Sequence, residues 1–265
     1  MNKKIALFLI LTSLALVFSY KIWWQKESPE AVPLNSQYKA IIFDIGGVLH
    51  TEPYQRAQVM VFLEKMYVSF LSGKPFSMMM NARQEIQAIT GIDEIWDKVC
   101  KGVSEEQVAA ELLEHAKQTL GKEELDSLTK EDLLKFLEYT RYYTRPIAKG
   151  MEMLREAKVK GYKTYLLSNI GKEDYEYILQ RKDLAEIVDL TDAQVLSYQV
   201  GHVKPEPGIY KNLLKTYDLK PEECLFIDNK QVMIDGAKAV GIDGIVCVNH
   251  DKVIKQLKCR HVLGS

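Results

Sequence analysis

The sequence predicts an α/β fold in which a parallel sheet is interrupted by a helical insertion and preceded by an N-terminal hydrophobic helix. Three observations carry this expectation. Short apolar runs of strand character alternate with amphipathic helical patterns, which is the signature of βαβ units around a parallel sheet. A stretch of nearly a hundred residues with helical periodicity and no convincing strand separates the first apolar run from the rest. The chain begins with Lys3-Lys4 followed by an apolar run from Ile5 to Phe18, broken only by Thr12 and Ser13.

That first segment is too apolar for one face of a soluble amphipathic helix and is read as a targeting or anchoring element. Extended through Lys21 to Trp23-Trp24 it reaches the roughly 20 residues a membrane span requires, with the tryptophans suited to the headgroup layer. The expectation is a membrane anchor over residues 1–24 with the soluble part on the non-cytoplasmic side. The alternative is a signal peptide cut near Val17-Phe18-Ser19, giving a secreted or periplasmic protein. Residues 25–37, carrying Pro29 and Pro33 and no apolar period, read as a linker.

The folded region starts with Ala40-Ile41-Ile42-Phe43, a continuous apolar run suited to a strand buried on both faces. Four more strands are expected at Lys163 to Leu167, Ile187 to Leu190, Leu225 to Ile227 and Ile245 to Val248, with helices at Gly150 to Lys160, Glu173 to Gln180, Ile209 to Tyr217 and Val232 to Ala239. Residues 38–52 and 147–265 then form the core and 53–146 a helical cap. Within the cap, the spacing of Val59, Phe62, Leu63, Met66, Phe70 and Leu71 predicts one long helix, while Ser104-Glu105-Glu106-Gln107 and Thr129-Lys130-Glu131-Asp132 read as helix starts. Met78-Met79-Met80 and the tyrosines Tyr139, Tyr142 and Tyr143 are expected to pack.

Composition narrows the function. With 27% charged residues and a formal net charge of −1, no basic surface for nucleic acid is indicated. The four cysteines, Cys100, Cys224, Cys247 and Cys259, have no CxxC spacing, which argues against a zinc site and leaves one disulfide open, its pairing not given by the sequence.

Four loops carry chemistry. Asp44 leaves the first strand into Gly46-Gly47, a carboxylate on a tight turn whose glycines admit close approach of an anion. Ser168-Asn169 ends the second strand with a hydroxyl and an amide that suit a phosphoryl oxygen. Lys204 sits in the loop Gly201-His202-Val203-Lys204-Pro205-Glu206-Pro207, where its charge would neutralise an acid or a phosphate; His202 is read as solvated or structural. Asp228-Asn229 ends another buried strand with oxygens that suit a divalent cation such as magnesium.

In this order, with a helical insertion after the first loop, the motifs resemble those of the haloacid dehalogenase-like (HAD) hydrolase superfamily over about residues 38 to 250. The resemblance implies a Rossmann-like core, a phosphatase reaction on a small phosphomonoester through an aspartyl-phosphate on Asp44, phosphate binding by Ser168, Asn169 and Lys204, and Mg2+ held by Asp44, the Gly46 carbonyl, Asp228 and Asn229. Asp44 and Lys204 would be the catalytic pair. Three positions depart from the phosphatase pattern: Gly46 replaces the acid that transfers protons, Asn229 replaces a metal-binding aspartate, and Met233 replaces a polar support. Two alternatives stay open on the sequence: a catalytically silent HAD-fold binding or scaffold protein at a membrane, and a metal-independent dehalogenase-like hydrolase.

Overall fold

A computed structural model describes residues 36–52, 97–119 and 129–264. The N-terminal hydrophobic run, the long helix expected around Val59 to Leu71 and Met78-Met79-Met80 lie outside the described residues. Among the described residues, no helix is long and apolar enough to cross a membrane.

Five strands build one sheet: β1 (Ala40–Phe43), β2 (Lys163–Ser168), β3 (Ala193–Leu196), β4 (Cys224–Asp228) and β5 (Asp243–Val246). Their spatial order is β3-β2-β1-β4-β5, and every neighbouring pair is parallel. β1 is central, so helices cover both its faces and all four of its residues are buried. Ile41 and Phe43 point into one apolar layer with Leu166, Leu225 and Ile227. Ala40 and Ile42 point into the other with Tyr165, Leu167 and Phe226, as the two-residue period of a strand requires.

The first layer is closed by α3 (Ala148–Val159), α4 (Lys172–Gln180), α5 (Lys182–Asp189) and α9 (His250–Cys259), which supply Met151, Leu154, Ile178, Ile187 and Leu257. The second is closed by α7 (Pro207–Thr216) and α8 (Gln231–Lys238), which supply Ile209, Leu213 and Ile234; a single turn, α6 (Ser197–Val200), links β3 to the loop before α7.

The third strand is not where its hydrophobicity pointed. Ile187 to Leu190 belongs to the end of α5, where Leu184 and Ile187, three residues apart, turn one side to the core. The strand is Ala193–Leu196, less apolar because it forms a sheet edge and is half exposed at its start. β5, the opposite edge, begins two residues before the apolar run, at Asp243.

In the insertion the described residues are helical: α1 (Glu105–Thr119) and α2 (Lys130–Tyr142). The Ser104 hydroxyl accepts from the Gln107 N–H at 3.3 Å, as the capping pattern predicted. Backbone on either side of the insertion runs side by side: Thr51 N–H donates to Arg145 C=O at 2.8 Å, Ile147 N–H to Leu49 C=O at 2.8 Å, and His50 pairs with Pro146 antiparallel. A buried cluster ties these helices to the core, because Arg141 of α2 binds both oxygens of Glu105 in α1, at 2.6 and 2.8 Å, and approaches Asp174 of α4 at 3.5 Å. All four cysteines are free thiols.

Candidate active site

Parallel registration brings the carboxyl ends of β1, β2 and β4 level. Phe43 lies opposite Leu166 on one side and Ile227 on the other, so Asp44 emerges beside the ends of β2 and β4, which are Ser168 and Asp228. Ligands of open α/β sheets gather at this edge.

The loop after α6 brings in Lys204, through a cis bond to Pro205. Its ammonium Nζ stands 2.9 Å from Asp44 Oδ1 and 2.7 Å from Asp228 Oδ2, with 2% of the lysine side chain and 1% of the Asp228 side chain exposed. Phe226 lies below it, its ring centroid 5.1 Å from Nζ. Burial works against the charge on Lys204, but the Asp44 and Asp228 carboxylates outweigh it and hold its pKa above the ordinary lysine value. Burial and the neighbouring Asp44 push the Asp228 carboxyl up, while Lys204 and the Lys230 N–H oppose the rise. Asp44 stays the most accessible of the three, with 11% of its side chain exposed.

Two contacts hold the lysine loop. The Asn169 side chain clamps the Lys204 backbone, its Oδ1 accepting from Lys204 N–H at 2.7 Å and its Nδ2 donating to Lys204 C=O at 2.8 Å. The sequence grouped Asn169 with the phosphate contacts; in the structure both ends of its side chain hold the Lys204 backbone. Ser197 ties α6 to the loop after β2, since its hydroxyl accepts from Ile170 N–H at 3.0 Å and donates to Ile170 C=O at 3.2 Å. Sequence reading missed Ser197, a buried serine after an unrecognised edge strand. Ser168 is buried at the end of β2, with 3% of its surface exposed.

The Gly46-Gly47 turn is held by a hydrogen bond from Gly47 N–H to His50 C=O at 2.8 Å. Gly47 has φ +71°, and a Cβ there would fall 2.2 Å from Asn229 Nδ2, so the turn needs glycine for its conformation and for the closeness of Asn229. Asn229 Oδ1 is buried and has no hydrogen-bond partner among the described residues.

The residues present fit a magnesium ion. Asp44 and Asp228 bring carboxylates to one edge, Asn229 adds a side-chain oxygen that is buried and has no hydrogen-bond partner among the described residues, and magnesium prefers oxygen ligands, often one or two carboxylates completed by water. Among the described residues no group of three or more acids, histidines or cysteines is assembled, so the set carries modest charge. Asp228 already accepts from Lys204 at Oδ2 and from Lys230 N–H at Oδ1, 2.8 Å away, which makes it foremost the anchor of the lysine. At Met233 the backbone carbonyl accepts from the Tyr210 hydroxyl at 2.7 Å, an attachment for α8 that does not involve the methionine side chain.

A strand-end carboxylate, a buried lysine bridging it to a second carboxylate, and a helical insertion after the first loop are the arrangement of an α/β hydrolase with its site at the carboxyl edge of the sheet. The haloacid dehalogenase-like hydrolase family model matches residues 38–241, and the chain belongs to that family. It is 27% identical over 228 residues to a sesquiterpene phosphatase, astK, of Aspergillus oryzae, a match covering 86% of this chain and 97% of that protein. A D-ribitol-5-phosphate phosphatase of Bacteroides thetaiotaomicron is 33% identical over 87 residues, which is 32% of this chain and 42% of that one. Among solved structures, a HAD family enzyme of Bacteroides thetaiotaomicron in a magnesium complex superposes with a TM-score of 0.54 at 20% identity, over 79% of this chain and 93% of that chain. A predicted HAD-like hydrolase of Porphyromonas gingivalis gives 0.53 at 19% identity, over 84% and 98%. These likenesses show the fold.

Proposed function

We propose that this HAD-like hydrolase is a magnesium-dependent phosphatase of a small phosphomonoester. The observation that carries the reading is the buried Lys204 ammonium between Asp44 and Asp228, at 2.9 and 2.7 Å. It sets a fixed positive charge beside Asp44 at the carboxyl edge of the sheet, where a nucleophile for phosphorus would stand. Phosphatases among the relatives agree with this choice of substrate class.

In this reading Asp44 attacks phosphorus, the bond to the leaving oxygen breaks, and water later cleaves the aspartyl-phosphate. Lys204 offsets the charge gathering on the phosphoryl oxygens, and Ser168 offers its hydroxyl to one of them. Asn169 keeps the lysine loop in register. Asp44, the Gly46 carbonyl and Asn229 would hold the magnesium, with Asp228 behind; the ion would polarise the phosphoryl group and shield its charge. Residues 53–146 act as a cap that excludes water, attached through the paired backbone at Thr51 and Arg145. The apolar run of residues 5–18 supports attachment to a membrane, with the catalytic part on the non-cytoplasmic side.

The test is hydrolysis of p-nitrophenyl phosphate by residues 36–265 with and without magnesium. Wild type should turn over only with the metal, and Asp44→Asn should fall to the uncatalysed background. Equal rates for the two proteins would overturn the assignment of Asp44.

A further inference from the structure

Gly46 leaves the usual acid position without a side chain, yet the space is filled. A Cβ built on Gly46 would sit 2.8 Å from Glu52 Oε1 and 3.3 Å from Glu52 Cγ. The carboxylate of Glu52 therefore occupies the volume that a side chain at position 46 would enter. It arrives from the linker that leads into the insertion, six residues further along the chain.

We propose that Glu52 is a catalytic acid and base of this site, supplying from the linker the proton transfer that Gly46 cannot. The inference rests on the phosphatase reading above.

The backbone beneath Glu52 is fixed. His50 N–H donates to Ile45 C=O at 3.0 Å and His50 C=O accepts from Gly47 N–H, which folds the linker back on the nucleophile's own turn. Thr51 is bonded twice to Arg145, through its N–H to Arg145 C=O at 2.8 Å and through its hydroxyl from Arg145 N–H at 3.1 Å. The next residue is Glu52, whose side chain starts from an anchored point and ends over Gly46, two residues from Asp44. It is exposed, and among the described residues it forms no ion pair.

The chemistry closes. As Asp44 forms its bond to phosphorus and the ester P–O bond breaks, Glu52 gives its proton to the departing oxygen, which leaves as an alcohol. Glu52, now a carboxylate, takes a proton from the water whose oxygen attacks the aspartyl-phosphate. The bond between phosphorus and Asp44 breaks, inorganic phosphate departs, and Glu52 is again protonated. A general acid of this kind contributes roughly 100- to 10,000-fold, and most where the leaving group is a strong base.

The experiment compares phenyl phosphate, whose leaving group needs a proton, with 2,4-dinitrophenyl phosphate, whose leaving group does not, under saturating magnesium. Glu52→Gln should lower kcat/KM on phenyl phosphate by about 100-fold or more and on the dinitrophenyl ester by less than about 10-fold. Gly46→Asp combined with Glu52→Ala places an acid in the vacated volume and should regain at least about tenfold over Glu52→Ala on phenyl phosphate. Equal losses on both esters, no loss, or no regain in the double variant would overturn the role of Glu52 while Asp44→Asn still abolished turnover. If wild type and Asp44→Asn were alike on both esters, the phosphatase reading would fall, and the role of Glu52 with it.

Discussion

Replacing Lys204 by methionine tests the centre of the site as a structure, independently of any substrate. Methionine keeps most of the stem's volume and removes the ammonium that both Asp44 and Asp228 contact, at 2.9 and 2.7 Å. Two oxygens that touched one nitrogen are left about 4 Å apart, and two negative charges at that distance repel by about 4 kcal/mol at an effective dielectric of about 20. Loss of one partner from a buried ion pair costs about 3–5 kcal/mol by the same logic. That is a large share of the roughly 5–15 kcal/mol that stabilises a domain. Urea unfolding in the presence of a chelator should therefore show a loss of about 3–5 kcal/mol, or a midpoint lower by roughly 1–3 M at ordinary slopes. Lys204→Met combined with Asp228→Asn removes one of the stranded charges and should recover at least about 1 kcal/mol relative to Lys204→Met alone. If the double variant loses the sum of the two single losses within about 0.5 kcal/mol, the three groups are not one electrostatic unit and the reasoning fails.

Two further outcomes follow from the packing around the site. Burial pushes the Asp174 carboxyl up to about 6, with Arg141 opposing, and its Oδ2 is buried without a hydrogen-bond partner among the described residues. Its folded pKa lies above the unfolded value, so the stability it contributes is full below about pH 4 and is lost as pH rises through about 6. Asp174→Asn should accordingly gain on wild type by up to about 3 kcal/mol between pH 4 and pH 7.5 in urea titrations, whereas an offset independent of pH would refute the assignment. Gly47→Ala forces a Cβ to 2.2 Å from Asn229 Nδ2 at φ +71° and should cost at least about 2 kcal/mol; adding Asn229→Ala relieves the clash and leaves the backbone strain. Thermal melts of the single and double variants separate the two costs, and equal melting points for wild type and Gly47→Ala would refute the account.

The sequence carried most of the sheet because four of its five strands lie in apolar runs bounded by turn residues, and β1 and β4 are buried on both faces. It misplaced β3 because a short apolar run has no period of its own. Ile187 to Leu190 is as apolar as a strand, and only Leu184 three residues before Ile187 marks it as one face of α5. Asp44, Lys204 and Asp228 were readable since each ends a strand or sits in a proline-bounded loop, where local composition and site coincide. The functions of Asn169, Ser197 and Glu52 were not, because each acts through a partner far along the chain or across a turn: Asn169 on Lys204, Ser197 on Ile170, Glu52 on Gly46. Pairings of that kind exist only once the backbone has been folded.

The departures from the usual phosphatase pattern have a common sense when charge is counted. In the phosphatase reading, an aspartate at position 229 would add a third carboxyl group to Asp44 and Asp228 around the single Lys204 ammonium, next to a phosphate that would enter as an anion. The neutral Asn229 keeps an oxygen at that place, buried and unpaired among the described residues, and lowers the repulsion that an incoming phosphate meets. It also gives up some of the attraction for a divalent cation, which tracks the number of charged ligands. Glu52 completes the pattern from outside, an exposed carboxyl that would give a proton to the leaving group and take one back from the attacking water. A site with fewer fixed negative charges and one movable proton is consistent with turnover, and it places the burden of holding the metal on Asp44 and of balancing the nucleophile on Lys204.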